Sequence, residues 1–123
     1  MASPEELLED LLNVPGVEAA VATDKDGLLL ASAGITEDDK SGDMEALGAL
    51  ASGALSSAEM VGEESKKGSL KRVVLEYSEG KVILQQLGSD VILSIFVSKT
   101  ANLGIVRLNI KRKQDAITEA FSF

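Results

Sequence analysis

The sequence predicts a three-layer α/β sandwich, in which helices cover both faces of a β-sheet. Helical and strand patterns follow one another in the order α-β-β-α-β-β-β-α. One strand, residues 91–98 (VILSIFVS), is apolar on both of its faces, which is typical of a central strand covered on both sides. Since this order leaves helices for each face of the sheet, a layered arrangement follows.

The N-terminal part of the chain predicts a helix and a β-hairpin. Ser3 can cap the helix, Pro4 suits its first position, and Glu6 completes a capping box. Gly27 lies where a tight turn needs a positive φ angle. The predicted elements are a helix that ends at residues 15–16, a strand over 17–23, a turn over 24–27 and a strand over 28–33.

Residues 43–62 predict a helix that begins at Asp43 and is unusually rich in small residues. One stripe at helical spacing is apolar: Met44, Leu47, Leu50 or Ala51, Ala54 or Leu55, Ala58 and Val61. A second face is almost wholly small and includes Gly53, with Gly48 beside it, although a glycine within a helix costs about 1 kcal/mol relative to alanine. Small side chains allow close approach of another backbone. This face is therefore expected to pack on the sheet of its own domain or on a second subunit.

The C-terminal half predicts three strands and a helix. Its strands, over residues 69–77, 81–87 and 91–98, are joined by short turns and form an antiparallel meander. The last helix is amphipathic, with its apolar residues at helical spacing: Leu103, Val106, Ile110, Ile117 and Phe121. Two polar loops, residues 34–42 and 63–68, flank the middle helix.

Length and composition restrict the classes of protein that fit. At 123 residues the chain is expected to form one domain over residues 1–123. It contains no histidine or cysteine, which removes Ser-His and Cys-His nucleophile pairs and the commonest zinc ligands. The N-terminus has no basic flank followed by an apolar segment, and the longest apolar run is too short to span a bilayer. A cytoplasmic protein without membrane insertion is expected.

The net charge of −8 argues against nucleic-acid binding, because phosphate contacts need a basic surface. The charge is unevenly distributed along the chain. Residues 1–64 contain 15 acidic and 2 basic residues, whereas residues 65–123 contain 5 acidic and 10 basic residues. These complementary halves are expected to pair within the fold or between subunits.

Three patterns that resemble chemical sites have simpler interpretations. Glu37, Asp38 and Asp39 lie in a polar loop, where they are expected to be solvated and not to act as a metal site or acid-base pair. Asp24 and Asp26 alternate as in a calcium loop, but the later acidic ligand is missing, which favours a turn. The glycine spacing matches no phosphate-binding loop, so the chain is not expected to bind nucleotide. No catalytic residue, metal site or cofactor is predicted, and the protein is expected not to be an enzyme.

Basic residues form two further candidate patches. Lys66, Lys67, Lys71 and Arg72 could meet an acidic partner or another subunit, or could form a solvated sheet edge. On the last helix the cations are Arg107, Lys111, Arg112 and Lys113. The acids Glu5, Glu9 and Asp10 can compensate them if the two terminal helices share a face of the sheet.

The order and spacing of several motifs resemble those of the roadblock/LC7 family over essentially the whole chain. These motifs are Pro15-Gly16-Val17 before a strand, the DKDG turn over residues 24–27, the small-residue helix, the β-meander, and Ala101-Asn102-Leu103-Gly104 leading through Arg107 into the last helix. The resemblance implies a five-stranded antiparallel sheet of the roadblock/profilin-like type. It places the middle helix on one face and the two terminal helices on the other.

The resemblance also implies a homodimer, in which the middle helices pair and the strand over residues 69–77 meets its symmetry mate. An isologous contact of this kind would hide an edge strand that otherwise invites aggregation. The expected interface residues are Ala46, Ala49, Ser52, Gly53, Ser56, Met60, Lys71, Val73 and Leu75.

The function that the family resemblance implies is regulatory. We expect a non-enzymatic homodimeric regulator or scaffold, of the stand-alone prokaryotic type, that binds and modulates a small Ras-like GTPase through a surface the sequence does not identify. Two alternatives stay open, namely a small-ligand sensor similar to related profilin-like folds and a scaffold subunit of a larger complex without GTPase activity. An enzyme fits least, because no two candidate groups are suitably spaced.

Overall fold

The computed structural model describes residues 2–34 and 41–121 and contains eight elements within them. The helices are α1 (Pro4–Leu11), α2 (Ser41–Glu64) and α3 (Leu103–Ala120). The strands are β1 (Val17–Thr23), β2 (Leu29–Gly34), β3 (Val73–Tyr77), β4 (Gly80–Leu87) and β5 (Val91–Ser98). The predicted order of elements is confirmed.

The five strands form one antiparallel sheet in the order β2-β1-β5-β4-β3. The apolar strand β5 lies at its centre, as its sequence predicts, and six of its eight residues are buried on one face or the other. The strands at the two edges are β2 and β3. Neither outer edge pairs with another strand of the described part of the chain.

One face of the sheet is covered by α1 and α3. Both helices begin with a side-chain cap, since the Oγ of Ser3 accepts a hydrogen bond from the backbone N–H of Glu6 and the Oδ1 of Asn102 accepts one from Ile105. Beneath them lies the larger apolar core, which includes Leu8, Ala20, Ile83, Leu93, Ile95, Ile110 and Ile117. The shared face also brings α1 and α3 into contact with each other.

The opposite face is covered by α2 alone among the described helices. Its N-terminal half packs with Met44 and Leu47 on β1 and β5, and its C-terminal half packs with Ala51 and Leu55 on β3, β4 and β5. The three-layer fold class is therefore confirmed. It comprises two helices, a five-stranded sheet and a third helix.

Several predicted boundaries differ from the observed ones. Helix α2 begins at Ser41, so Asp43 lies inside its first turn and not at its cap, and it continues to Glu64. Strand β3 begins at Val73 and not at residue 69, because Leu70 turns towards α2 and packs with the core under that helix. Most of the predicted loop over 34–42, including the acids Glu37, Asp38 and Asp39, lies outside the described residues.

Candidate interaction surface

The outer face of α2 is the most unusual surface of the described chain. Three large apolar side chains are exposed there, with 72% of Leu50, 63% of Met60 and 67% of Val61 accessible to solvent. The positions between them on the same face are small, namely Ala46, Ala49, Gly53, Ser56 and Ser57, and all are exposed. An apolar stripe on one helix that no described element covers is typical of an interaction site.

The two interior glycines of α2 face in opposite directions. A Cβ added at Gly48 would lie 2.5 Å from the Cγ2 of Thr23, so this glycine allows α2 to approach β1 closely. A Cβ added at Gly53 would meet no atom of the described residues within 4 Å, because that position faces outward. Packing within the domain therefore explains Gly48, whereas nothing in the described chain explains why position 53 is a glycine.

Ser52 lies on the inner side of α2. Only 4% of this residue is exposed, and its Oγ donates a hydrogen bond to the backbone oxygen of Lys25 over 3.2 Å. This bond ties α2 to the β1–β2 turn. The side chain of Ser52 is thus used within its own domain, unlike its neighbour Gly53.

Strand β3 continues this surface at the edge of the sheet. Val73 and Leu75 are half-buried beneath α2, whereas Lys71 is exposed. Tyr77, at the end of the strand, is 61% exposed. An unpaired strand edge next to an exposed apolar helix face offers both backbone hydrogen-bonding groups and apolar contact area.

Eight of the nine residues predicted for the interface lie in this region. Five are on the outer face of α2, two are on β3, and Lys71 lies two residues before β3. The exception is Ser52. The prediction omitted Leu50, Val61 and Tyr77, which are the large exposed apolar and aromatic residues of the same region. Leu50 and Val61 belong to the apolar stripe that the spacing predicts, but that stripe divides between two sides of the helix. Since Met44, Ala51 and Leu55 face the sheet, positions 50 and 61 turn outward.

Asp24, one of the two acids that alternate as in a calcium loop, has a structural role. The Oδ1 of Asp24 accepts hydrogen bonds from the backbone N–H groups of Asp26 and Leu28, at 2.9 and 3.0 Å, and thereby organises the predicted turn. Gly27 has a φ of +87°, as the turn requires. Within residues 2–34 and 41–121, no group of three potential ligand side chains could hold a metal ion.

Charge pairing between the terminal helices is confirmed at one pair. The Nζ of Lys113 lies 3.8 Å from the Oδ2 of Asp10, which links α3 to α1. No helix in the described part of the chain has the length and apolar character needed to cross a bilayer.

Comparison with known proteins agrees with this architecture. The family model of the Roadblock/LC7 domain matches residues 4–96. A protein of Methanocaldococcus jannaschii is 32% identical over 117 residues, which cover 95% of this chain and 98% of that protein.

Two solved structures share the fold. Myxococcus xanthus MglB has a TM-score of 0.85 at 24% identity, and the alignment covers 96% of this chain and 94% of that chain. A structure described as MglB with a tetrameric arrangement has a TM-score of 0.83 at 21% identity, covering 98% and 91%. With three quarters of its length matched by the family model and the expected sheet and helices in place, the chain belongs to the Roadblock/LC7 domain family.

Proposed function

We propose that two copies of this chain pair through the outer face of α2 and the free edge of β3. The observation that carries this proposal is the exposed stripe of Leu50, Met60 and Val61 with small residues between them. A two-fold axis beside α2 would bring the same stripe of each copy together, and Gly53 would let the helix backbones approach closely. The solved relative with a tetrameric arrangement supports self-association in this fold.

The proposed interface consists of the outward residues of α2 and those of the β3 region. Its members are Ala46, Ala49, Leu50, Gly53, Ser56, Met60, Val61, Lys71, Val73, Leu75 and Tyr77. Val73 and Leu75 would contribute the backbone N–H and C=O groups at the outer edge of β3. Pairing of two β3 strands would continue the sheet from one copy into the next and satisfy the outer N–H and C=O groups.

The proposed dimer is tested by placing a charge in the stripe. Leu50→Glu should convert the dimer into a monomer in analytical ultracentrifugation, because burying an unpaired carboxylate opposes association. Ile105→Glu is the matched control, since Ile105 is also exposed but lies on α3, on the other side of the sheet. A Leu50→Glu protein that stays dimeric at all concentrations would place the interface elsewhere.

For the biochemical role, we propose a non-enzymatic regulator or scaffold that binds a small Ras-like GTPase. Membership of the Roadblock/LC7 domain family supports this proposal, because this role is the one that the family resemblance implies. The chain would act by holding the switch regions of the GTPase against the dimer surface, so that the catalytic groups would be those of the GTPase. A cytoplasmic location agrees with such a partner.

The GTPase role is tested by affinity purification of a Ras-like GTPase on the tagged chain, followed by single-turnover GTP hydrolysis. A changed hydrolysis or nucleotide-release rate with wild-type protein, lost with Leu50→Glu and kept with Ile105→Glu, supports regulation by the dimer. Binding without a change in rate supports the scaffold form. If no Ras-like GTPase of the source cells binds the purified dimer, the proposal fails.

A further inference from the structure

A basic groove lies on the α3 side of the sheet, away from the outer face of α2. It encloses about 510 Å³ between α3 and the outer strands. One wall is a single face of α3, comprising Gly104, Arg107, Leu108, Lys111 and Gln114, and the other wall contains Arg72 and Gln85. Since these helix positions span ten residues, the groove runs about 15 Å along α3, or nearly three helical turns.

The sheet surface next to the groove is apolar. Val74 pairs with Ile83, whose side chain lies in the core beneath α1 and α3, so Val74 faces the same side of the sheet. It is 37% exposed there, because α3 does not extend over the edge strand. On α3 itself, Leu108 lines the groove and is 45% exposed. The groove therefore combines cations with accessible apolar surface.

The three cations of the groove lack partners among the described residues. The described ion pairs join Lys99 to Glu79 and Lys113 to Asp10, and neither involves a groove residue. Among residues 2–34 and 41–121, no acidic residue lines the groove, although the chain as a whole has a net charge of −8. Arg72 is half-buried, and a partly desolvated guanidinium gains most from a carboxylate that approaches it.

From this geometry we infer that the groove binds an acidic amphipathic helix of a partner protein. Arg107 and Lys111 are four residues apart on α3, so carboxylates spaced three or four residues apart on a facing helix can meet both. Leucine-like side chains on the same turns would cover Leu108 and Val74. Nucleic acid fits less well, because its backbone offers no apolar groups for this surface.

The inference does not depend on the proposed dimer or GTPase role. The groove and the outer face of α2 lie on opposite faces of the sheet, so pairing through α2 and β3 would leave the groove open. In such a dimer the two grooves would lie on either side of the paired β3 strands.

The test uses the full chain and a synthetic 14-residue peptide, EELLEELLEELLEE, with a lysine-for-glutamate peptide as control. Amide shifts in NMR titrations should be confined to residues around the groove. Fluorescence polarisation should give a Kd that weakens about tenfold or more in Arg107→Glu/Lys111→Glu, which corresponds to about 1.4 kcal/mol. The control Lys99→Glu/Arg112→Glu makes the same change in net charge outside the groove and should keep most of the affinity.

Peptide binding that survives in the groove variant, shifts that map elsewhere, or equal binding of the lysine peptide would each overturn the inference. Stronger binding to phosphatidylglycerol vesicles or to single-stranded DNA would assign the groove to an anionic surface of another kind. Self-association that Arg107→Glu/Lys111→Glu abolishes, with no peptide binding, would make a second copy the occupant. Since monomeric Leu50→Glu should still bind the peptide, failure of the proposed dimer remains distinguishable from failure of this inference.

Discussion

Gly48 lies so close to Thr23 that a Cβ on the glycine would be 2.5 Å from the threonine Cγ2. Thr23 is fully buried on β1, and its branched side chain has little freedom to rotate away. The absence of a side chain at Gly48 therefore allows α2 to lie this close to the sheet.

Gly48→Ala should lower the free energy of unfolding, by about 1–3 kcal/mol, because the added methyl group overpacks this contact. Chemical denaturation measures the change. Thr23→Ser removes the Cγ2 methyl group, so the double variant should recover part of the loss, and the coupling follows from a double-mutant cycle. A Gly48→Ala protein as stable as wild type would mean that α2 shifts without penalty.

Gly53→Ala should have the opposite effect in a monomer. Its Cβ would enter open space, so only the helix propensity changes and stability should rise by up to about 1 kcal/mol. The measurement belongs in the Leu50→Glu background, where dimerisation is expected to be absent. A loss of stability there would show that position 53 has a neighbour within its own chain.

These two glycines illustrate where prediction from the sequence succeeds and where it stops. Periodicity predicted the helix and its richness in small residues, and strands β1 and β5 have the predicted bounds. Periodicity did not distinguish Gly48 from Gly53, because each can lie on a face that needs small residues. Which glycine faces the sheet depends on how α2 is rotated about its axis, and in this structure Gly48 is the one above Thr23.

For the outer face of α2, too, the sequence pattern does not show which side of the helix is buried. Apolar residues occur on both sides of α2, so an apolar stripe alone does not identify the buried face. Leu50 and Ala51 are adjacent and both apolar, yet Ala51 is buried because it shares a helix face with Leu55, whereas Leu50 is exposed. Pairing of two copies stays a prediction, since it concerns contacts beyond one chain.

Two buried hydroxyl groups lie under α2 without a hydrogen-bond partner in the described structure, the Oγ1 of Thr23 and the Oγ of Ser94. A buried unsatisfied polar group costs about 1–3 kcal/mol. Ser94→Ala should therefore raise the free energy of unfolding, by up to about 1 kcal/mol after the loss of packing is included.

Ser52→Ala provides the matched comparison for Ser94→Ala. It removes a hydroxyl that donates to the Lys25 carbonyl, so stability should fall by about 0.5–1.5 kcal/mol. Thermal and denaturant unfolding of both variants measure these changes in the free energy of unfolding, which should have opposite signs. A loss of stability in Ser94→Ala would reveal a hydrogen bond or water that satisfies its hydroxyl.

The pair of Asp10 and Lys113 should contribute modestly to the contact between α1 and α3. Its 3.8 Å separation and partial exposure predict a coupling below about 1 kcal/mol in a cycle of Asp10→Asn and Lys113→Gln. The coupling should shrink in 1 M salt, where the Debye length is about 3 Å. The more exposed pair of Lys99 and Glu79 should couple less, and the reverse order would show that exposure does not control these pairs.

Lys66 is the one non-glycine residue with a positive φ in the described chain, at 58°. It follows the C-terminus of α2, where the backbone N–H of Lys67 donates to the oxygen of Gly62 over 2.9 Å and closes the last turn. A residue with a Cβ is disfavoured in this left-handed conformation by about 1–2 kcal/mol, and glycine is not. Lys66→Gly should therefore raise the free energy of unfolding, by about 1 kcal/mol, after the greater freedom of glycine in the unfolded chain is counted.

Lys66→Ala keeps the Cβ and should leave stability nearly unchanged, which separates backbone strain from the loss of the charge. Equal stabilisation by alanine and glycine in denaturant unfolding would attribute the effect to the lysine side chain and not to the φ angle.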